Sequence, residues 1–158
     1  MAFIPGNNGS PSNPLDGLRG VTSGVDAASG IVGEYVESKV LIGSAVALTT
    51  ATQITLVSLA LQPGDWDLSG FIHYEGTATS VNERLAEICP TAATFGTGDR
   101  GRAQLGVTAN LTVTSEYWAI PTLRQNISVA TTYFLVVRAT FTGGTCLTAG
   151  RLSARRIR

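Results

Sequence analysis

Histidine occurs once in this 158-residue chain, at His73, and cysteine twice, at Cys89 and Cys146. A single imidazole leaves histidine-built metal sites and proton shuttles without spare parts, and the alternation around it places His73 on a solvent-facing surface with Asp67 and Glu75. The cysteines lie 57 positions apart with no Cys-x-x-Cys and no histidine nearby, which is not metal-ligand spacing. They read as packed, reduced thiols. A bridge stays open if the protein later meets an oxidising medium. Charge is also scarce. Only 14% of residues are charged, and 11 basic groups balance 11 acidic ones. That excludes a highly charged disordered chain and a strongly basic nucleic-acid binder, so no nucleic-acid partner is expected. The densest apolar run, Ile54 to Leu61, is interrupted by Thr55 and Ser58 and falls far short of the roughly 18 residues of a spanning helix. No membrane partner is expected. Met1-Ala-Phe-Ile-Pro-Gly-Asn-Asn has neither a basic n-region nor an apolar h-region, so the expected place of synthesis is a cytosol from which something else moves the protein.

What the chain does have is glycine, 18 residues, and threonine, 20 residues, giving a surface coated in hydroxyls rather than ions. Its length suits one domain with a single core. Residues 1–32 differ from the rest. The first thirty hold six glycines and three of the six prolines and keep no period of 2 or 3.6. The segment reads either as a frayed terminus or as an arm that orders against a partner, with Phe3, Ile4, Leu15 and Leu18 as its apolar contact points. Stretched out, about 30 residues reach roughly 100 Å.

Residues 33–158 read as one all-β domain. Residues 53–62 form a nearly continuous apolar run, stopped by the turn chemistry of Pro63, Gly64 and Asp65. Trp66, Leu68, Ile72 and Tyr74 then share one parity, opposite Asp67, Ser69, His73 and Glu75, which predicts a strand with one wet face. Residues 102–113 alternate without a break. Residues 131–142 are rich in β-branched and aromatic types. Gly143-Gly144 turns the chain into a last strand over 145–157, and weaker strands fit at 34–41, 45–50, 81–88 and 117–129. Only 81–89 offers a helical alternative, through Glu83 and Glu87 at i, i+4. Eight or so strands without βαβ alternation predict a β-sandwich or jelly roll.

Candidate chemistry is thin, and no catalytic, cofactor-binding or metal residue is expected. Gly96-Thr-Gly-Asp-Arg-Gly101 matches the dinucleotide spacing, but it leads into a strand where the pyrophosphate needs a helix N-terminus, so it reads as a loop. Asp65 and Asp67 read as a turn aspartate and a strand aspartate; Glu34 and Glu37 offer no better case. The tail concentrates four arginines, Arg151, Arg155, Arg156 and Arg158, in eight residues. In a neutral chain these suit salt bridges to a neighbouring subunit, or a cap on the last strand, better than phosphate. A sugar-binding surface would have to be built from Tyr117 and Trp118 beside Glu116.

The segments Gly33-Glu-Tyr-Val-Glu-Ser-Lys-Val, Gly43-Ser-Ala-Val-Ala-Leu-Thr-Thr-Ala-Thr, Val57-Ser-Leu-Ala-Leu-Gln-Pro-Gly-Asp-Trp-Asp-Leu-Ser-Gly, Tyr133-Phe-Leu-Val-Val-Arg-Ala-Thr-Phe and Gly150-Arg-Leu-Ser-Ala-Arg-Arg-Ile-Arg resemble a β-domain recurrent in virion proteins of tailed bacteriophages. The resemblance spans about residues 33–158, departs from the pattern over 90–128, and leaves 1–32 uncovered. It implies a jelly-roll-like domain, usually a homotrimer, on the virion exterior. The leading expectation is a capsid decoration, or cement, protein or head fibre whose partners are the phage's major capsid protein and itself. The alternative is a tail-fibre tip that meets a host surface receptor. No catalytic residues come with the resemblance. Pro63, Gly64, Asp65 and Trp66 read as a structural turn whose tryptophan anchors it to the core.

Overall fold

The computed structural model describes residues 27–78, 80–97, 101–111 and 115–158, with 105–111 described by their backbone alone. The expected contacts Phe3, Ile4, Leu15 and Leu18 lie outside the described residues. Among the described residues nine strands follow in order: β1 (Tyr35–Val40), β2 (Val46–Ala47), β3 (Ile54–Leu61), β4 (Gly64–Gly76), β5 (Ser80–Cys89), β6 (Arg102–Leu111), β7 (Ser115–Ile127), β8 (Thr131–Thr142) and β9 (Cys146–Arg156). One sheet runs β1-β9-β4-β7, with β2 also on β9; the other runs β3-β8-β5-β6. Every pairing is antiparallel. Thus the architecture is all-β and sandwich-like, and the chain changes sheet at nearly every connection.

The period-2 pattern explains the two layers. Trp66, Leu68, Ile72 and Tyr74 of β4 meet Leu61 of β3 and Leu135, Val137 and Ala139 of β8 in one core, completed by Ala86 and Ile88 of β5 and Leu152 and Ala154 of β9. Burial of this kind contributes about 1.5–3 kcal/mol per large aliphatic side chain. Residues 81–89 take the strand reading, because β5 is an interior strand paired on both sides, with β6 and β8. Gly101, with φ 65°, directly precedes Arg102, which opens β6. The dinucleotide-like spacing therefore leads into a strand, as expected. Cys89 and Cys146 are free and buried; burial raises both thiol pKa values, that of Cys146 to about 11.

The strand expected over 45–50 shrinks to Val46–Ala47 because the chain turns at Ala51, which has φ 59°. Ala93 has φ 49° in the loop after β5. A left-handed backbone costs an L-residue roughly 1–2 kcal/mol, and glycine avoids this at a smaller entropic cost in the unfolded chain. Ala51→Gly and Ala93→Gly are each expected to raise stability by about 0.5 kcal/mol, read as a higher urea midpoint with an unchanged m-value. A lowered midpoint would contradict this account of the two turns.

Candidate functional site

The corner between β3 and β4 is where the two ends of the domain meet. Trp66 is buried, and its Nε1 donates to the Gln62 carbonyl at 2.9 Å, so the tryptophan anchors the turn that Pro63 starts. The Arg156 guanidinium lies 4.3 Å from the Trp66 ring centroid, donates from Nε to Glu34 Oε2 at 2.8 Å and from Nη1 to the Pro63 carbonyl at 2.6 Å. Gly64 has φ 153°, and a Cβ there would fall 1.9 Å from Arg156 Nη1, so the corner needs glycine both for its backbone and for its space. Arg156 is turned into its own chain, where Glu34, the Pro63 carbonyl and the Trp66 face take its charge, as a cap on the last strand would require. Glu34, which the sequence offered no case for, is buried. Burial pushes its pKa up, but hydrogen bonds from the Gly30 amide, Arg156 and Ser29 outweigh that and hold it below the usual range.

Asp65 does more than turn the chain. Arg124 grips it with two hydrogen bonds, of 3.0 and 2.7 Å, and Arg158 adds a third of 3.0 Å. The Arg124 bonds, opposed by burial and aided by Arg158, depress its pKa from 3.8 to about 2. A depressed carboxylate contributes stability that is fully present above its unfolded pKa and is lost as pH falls through the folded one. The domain is therefore expected to lose stability between about pH 4 and pH 2. Arg124→Ala should move the Asp65 titration upward when the carboxyl carbon is followed by NMR; an unmoved titration would contradict the assignment.

The outer face of the β1-β9-β4-β7 sheet departs from the expected wet surface at His73, which is fully buried. The cause is Tyr117, the residue paired with His73 across β4 and β7, whose ring stacks on the imidazole at 4.4 Å and on Phe71 at 5.7 Å. Beside them a cleft of about 370 Å³ runs over β9, with Phe71 and His73 on one wall, Leu41 and Ile42 on the other, and Ala149 and Gly150 among its lining residues. Lys39 and Arg151 also line it. His73 Nε2 is 2.9 Å from Ser115 Oγ and 3.8 Å from Glu75 Oε2. This places a serine, a histidine and a carboxylate together, but on the same ring nitrogen. A triad needs its acid on the opposite nitrogen, and here Nδ1 is buried without a hydrogen-bond partner. The cleft is apolar, with Lys39 and Arg151 among its lining residues.

The remaining tail arginines divide. Arg151 is half exposed, 3.7 Å from Glu37. Arg155 is exposed on β9, opposite Asp67, and Arg158 leans on Asp65. The sugar-binding platform does not assemble, because neighbours in a strand point to opposite faces. Tyr117 lies outside on His73, while Trp118 packs inward on Tyr74 at 5.4 Å, with Arg84 5.1 Å from its ring centroid. Arg84 is fully buried and pairs with Glu116. It shares parity with Ala86 and Ile88 in β5, and that parity was the available signal for its inward direction. Among the described residues no cluster of three or more metal-ligating side chains is present, and no helix is long and apolar enough to cross a membrane. No family model, curated protein or solved structure matches this chain.

Proposed function

We propose that the chain is a structural protein of a tailed-bacteriophage virion, a jelly-roll domain that trimerises on the capsid exterior and clamps the lattice of the major capsid protein. The observation that carries this reading is the strand order. Setting β2 aside as a continuation of β1 along β9, the described strands form sheets ordered β1-β9-β4-β7 and β3-β8-β5-β6, and the chain crosses between them at every connection except β5 to β6. That nesting is what two Greek keys wrapped into a double-sheet jelly roll require, an architecture frequent among viral capsid proteins and lectins. Fold alone does not decide function. The virion reading rests further on the resemblance of the Leu61-Gln-Pro-Gly-Asp-Trp-Asp-Leu-Ser-Gly70 segment to phage virion domains. It rests also on the 1–32 segment, whose Phe3, Ile4, Leu15 and Leu18 would offer a partner apolar contact points ahead of the β domain. Three such segments on one trimer make each successive engagement of the lattice intramolecular. The physical role is to tie capsomers together against the pressure of the packaged genome.

The experiment is a binding comparison between emptied phage capsids and host cells, using purified full-length protein. Saturable binding to capsids and none to cells is the expected result. Binding to cells alone would replace this reading with the tail-fibre tip and its host surface receptor.

A further inference from the structure

We infer that the outer face of the β1-β9-β4-β7 sheet, centred on the cleft over β9, is the surface on which a second copy of this chain docks. The inference rests on the homotrimer in the proposed function and names the face that would build it.

Two observations converge there. First, Leu41, Ile42, Phe71 and Tyr117 are all exposed large apolar side chains on or beside this cleft. Second, the charges are complementary to those of an identical face. On the β1 and β9 flank, Lys39 at 2.6 Å and Arg151 at 3.7 Å share the one carboxylate of Glu37, leaving a positive surplus. Toward the far end of β4, Glu75 is partly exposed, and its ionic neighbour among the described residues is the His73 imidazole, at 3.8 Å. A second copy that sets its Glu75 flank against the Lys39 and Arg151 flank satisfies both. Such a contact joins two different parts of the same face and closes into a ring when repeated by rotation.

The test uses the full-length protein and its mass in solution by light scattering across a concentration series. Wild type is expected at a multiple of 16.5 kDa. Leu41→Glu combined with Phe71→Glu should reduce it to the single-chain mass while the circular dichroism of the folded domain persists. Because a double change can disturb folding, a charge exchange gives a second reading. Arg151→Glu and Glu75→Arg should each weaken assembly at least tenfold, and together they should restore it. A wild-type oligomer untouched by the apolar and charge variants would overturn this face and leave the homotrimer standing. A single-chain mass for wild type at every concentration would overturn both.

Discussion

Arg156→Ala is expected to lower the stability of the domain by about 3–5 kcal/mol, the usual consequence of removing one member of a buried ion pair. Stability of ordinary domains totals only about 5–15 kcal/mol, so the variant should be near the edge of folding. The size follows from what is left behind. Glu34 stays buried without its guanidinium, the Pro63 carbonyl loses its donor, and the Trp66 face loses a cation lying 4.3 Å away. Desolvation opposes pairing at this depth, so the pair itself need not be stabilising relative to apolar residues of the same size. Glu34→Leu with Arg156→Met is therefore expected to recover most of the loss. Urea denaturation checks both variants through the midpoint at constant m-value. A loss below about 1 kcal/mol in the alanine variant, a value typical of exposed pairs, would show that the corner does not depend on this contact.

The second large effect is on binding. Deleting residues 1–26 is expected to leave the body folded while its occupancy on capsids, measured by cryo-EM, falls to background. The cut is placed at 26 to keep the bonds that Gly30 and Gly33 make to the domain. Gly33 N donates to the Arg156 carbonyl at 2.9 Å, and Gly30 N donates to Glu34 Oε2 at 2.7 Å. Losing three tethered contacts removes an avidity of order 10²–10⁴, far more than a change at one body residue would. Undiminished occupancy would mean that the body alone grips the lattice.

Local chemistry made most strands legible. The alternation of Trp66, Leu68, Ile72 and Tyr74 predicted β4 and its core face, and the apolar run at 53–62 predicted β3 to within a residue at either end. What stayed hidden depends on partners distant in sequence. Glu34 and Arg156 are 122 positions apart, and neither has a neighbour in sequence that hints at the other. His73 sits on a parity that should be wet; its burial comes from Tyr117, delivered by β7 through a register that no local pattern encodes. The same holds for the cleft, whose walls come from β4 and the segment after β1 and which runs over β9. Period-2 reasoning was sufficient to separate Tyr117 from Trp118, and it points Arg84 inward once β5 is accepted as a strand.

The most direct test of the central claim is a density map of the phage particle that carries this chain. The account predicts threefold-symmetric density the size of three such domains on the outer capsid surface, with a narrow connection from each domain to a neighbouring capsid subunit. Density for the chain at the tail tip, with none on the capsid, would contradict it.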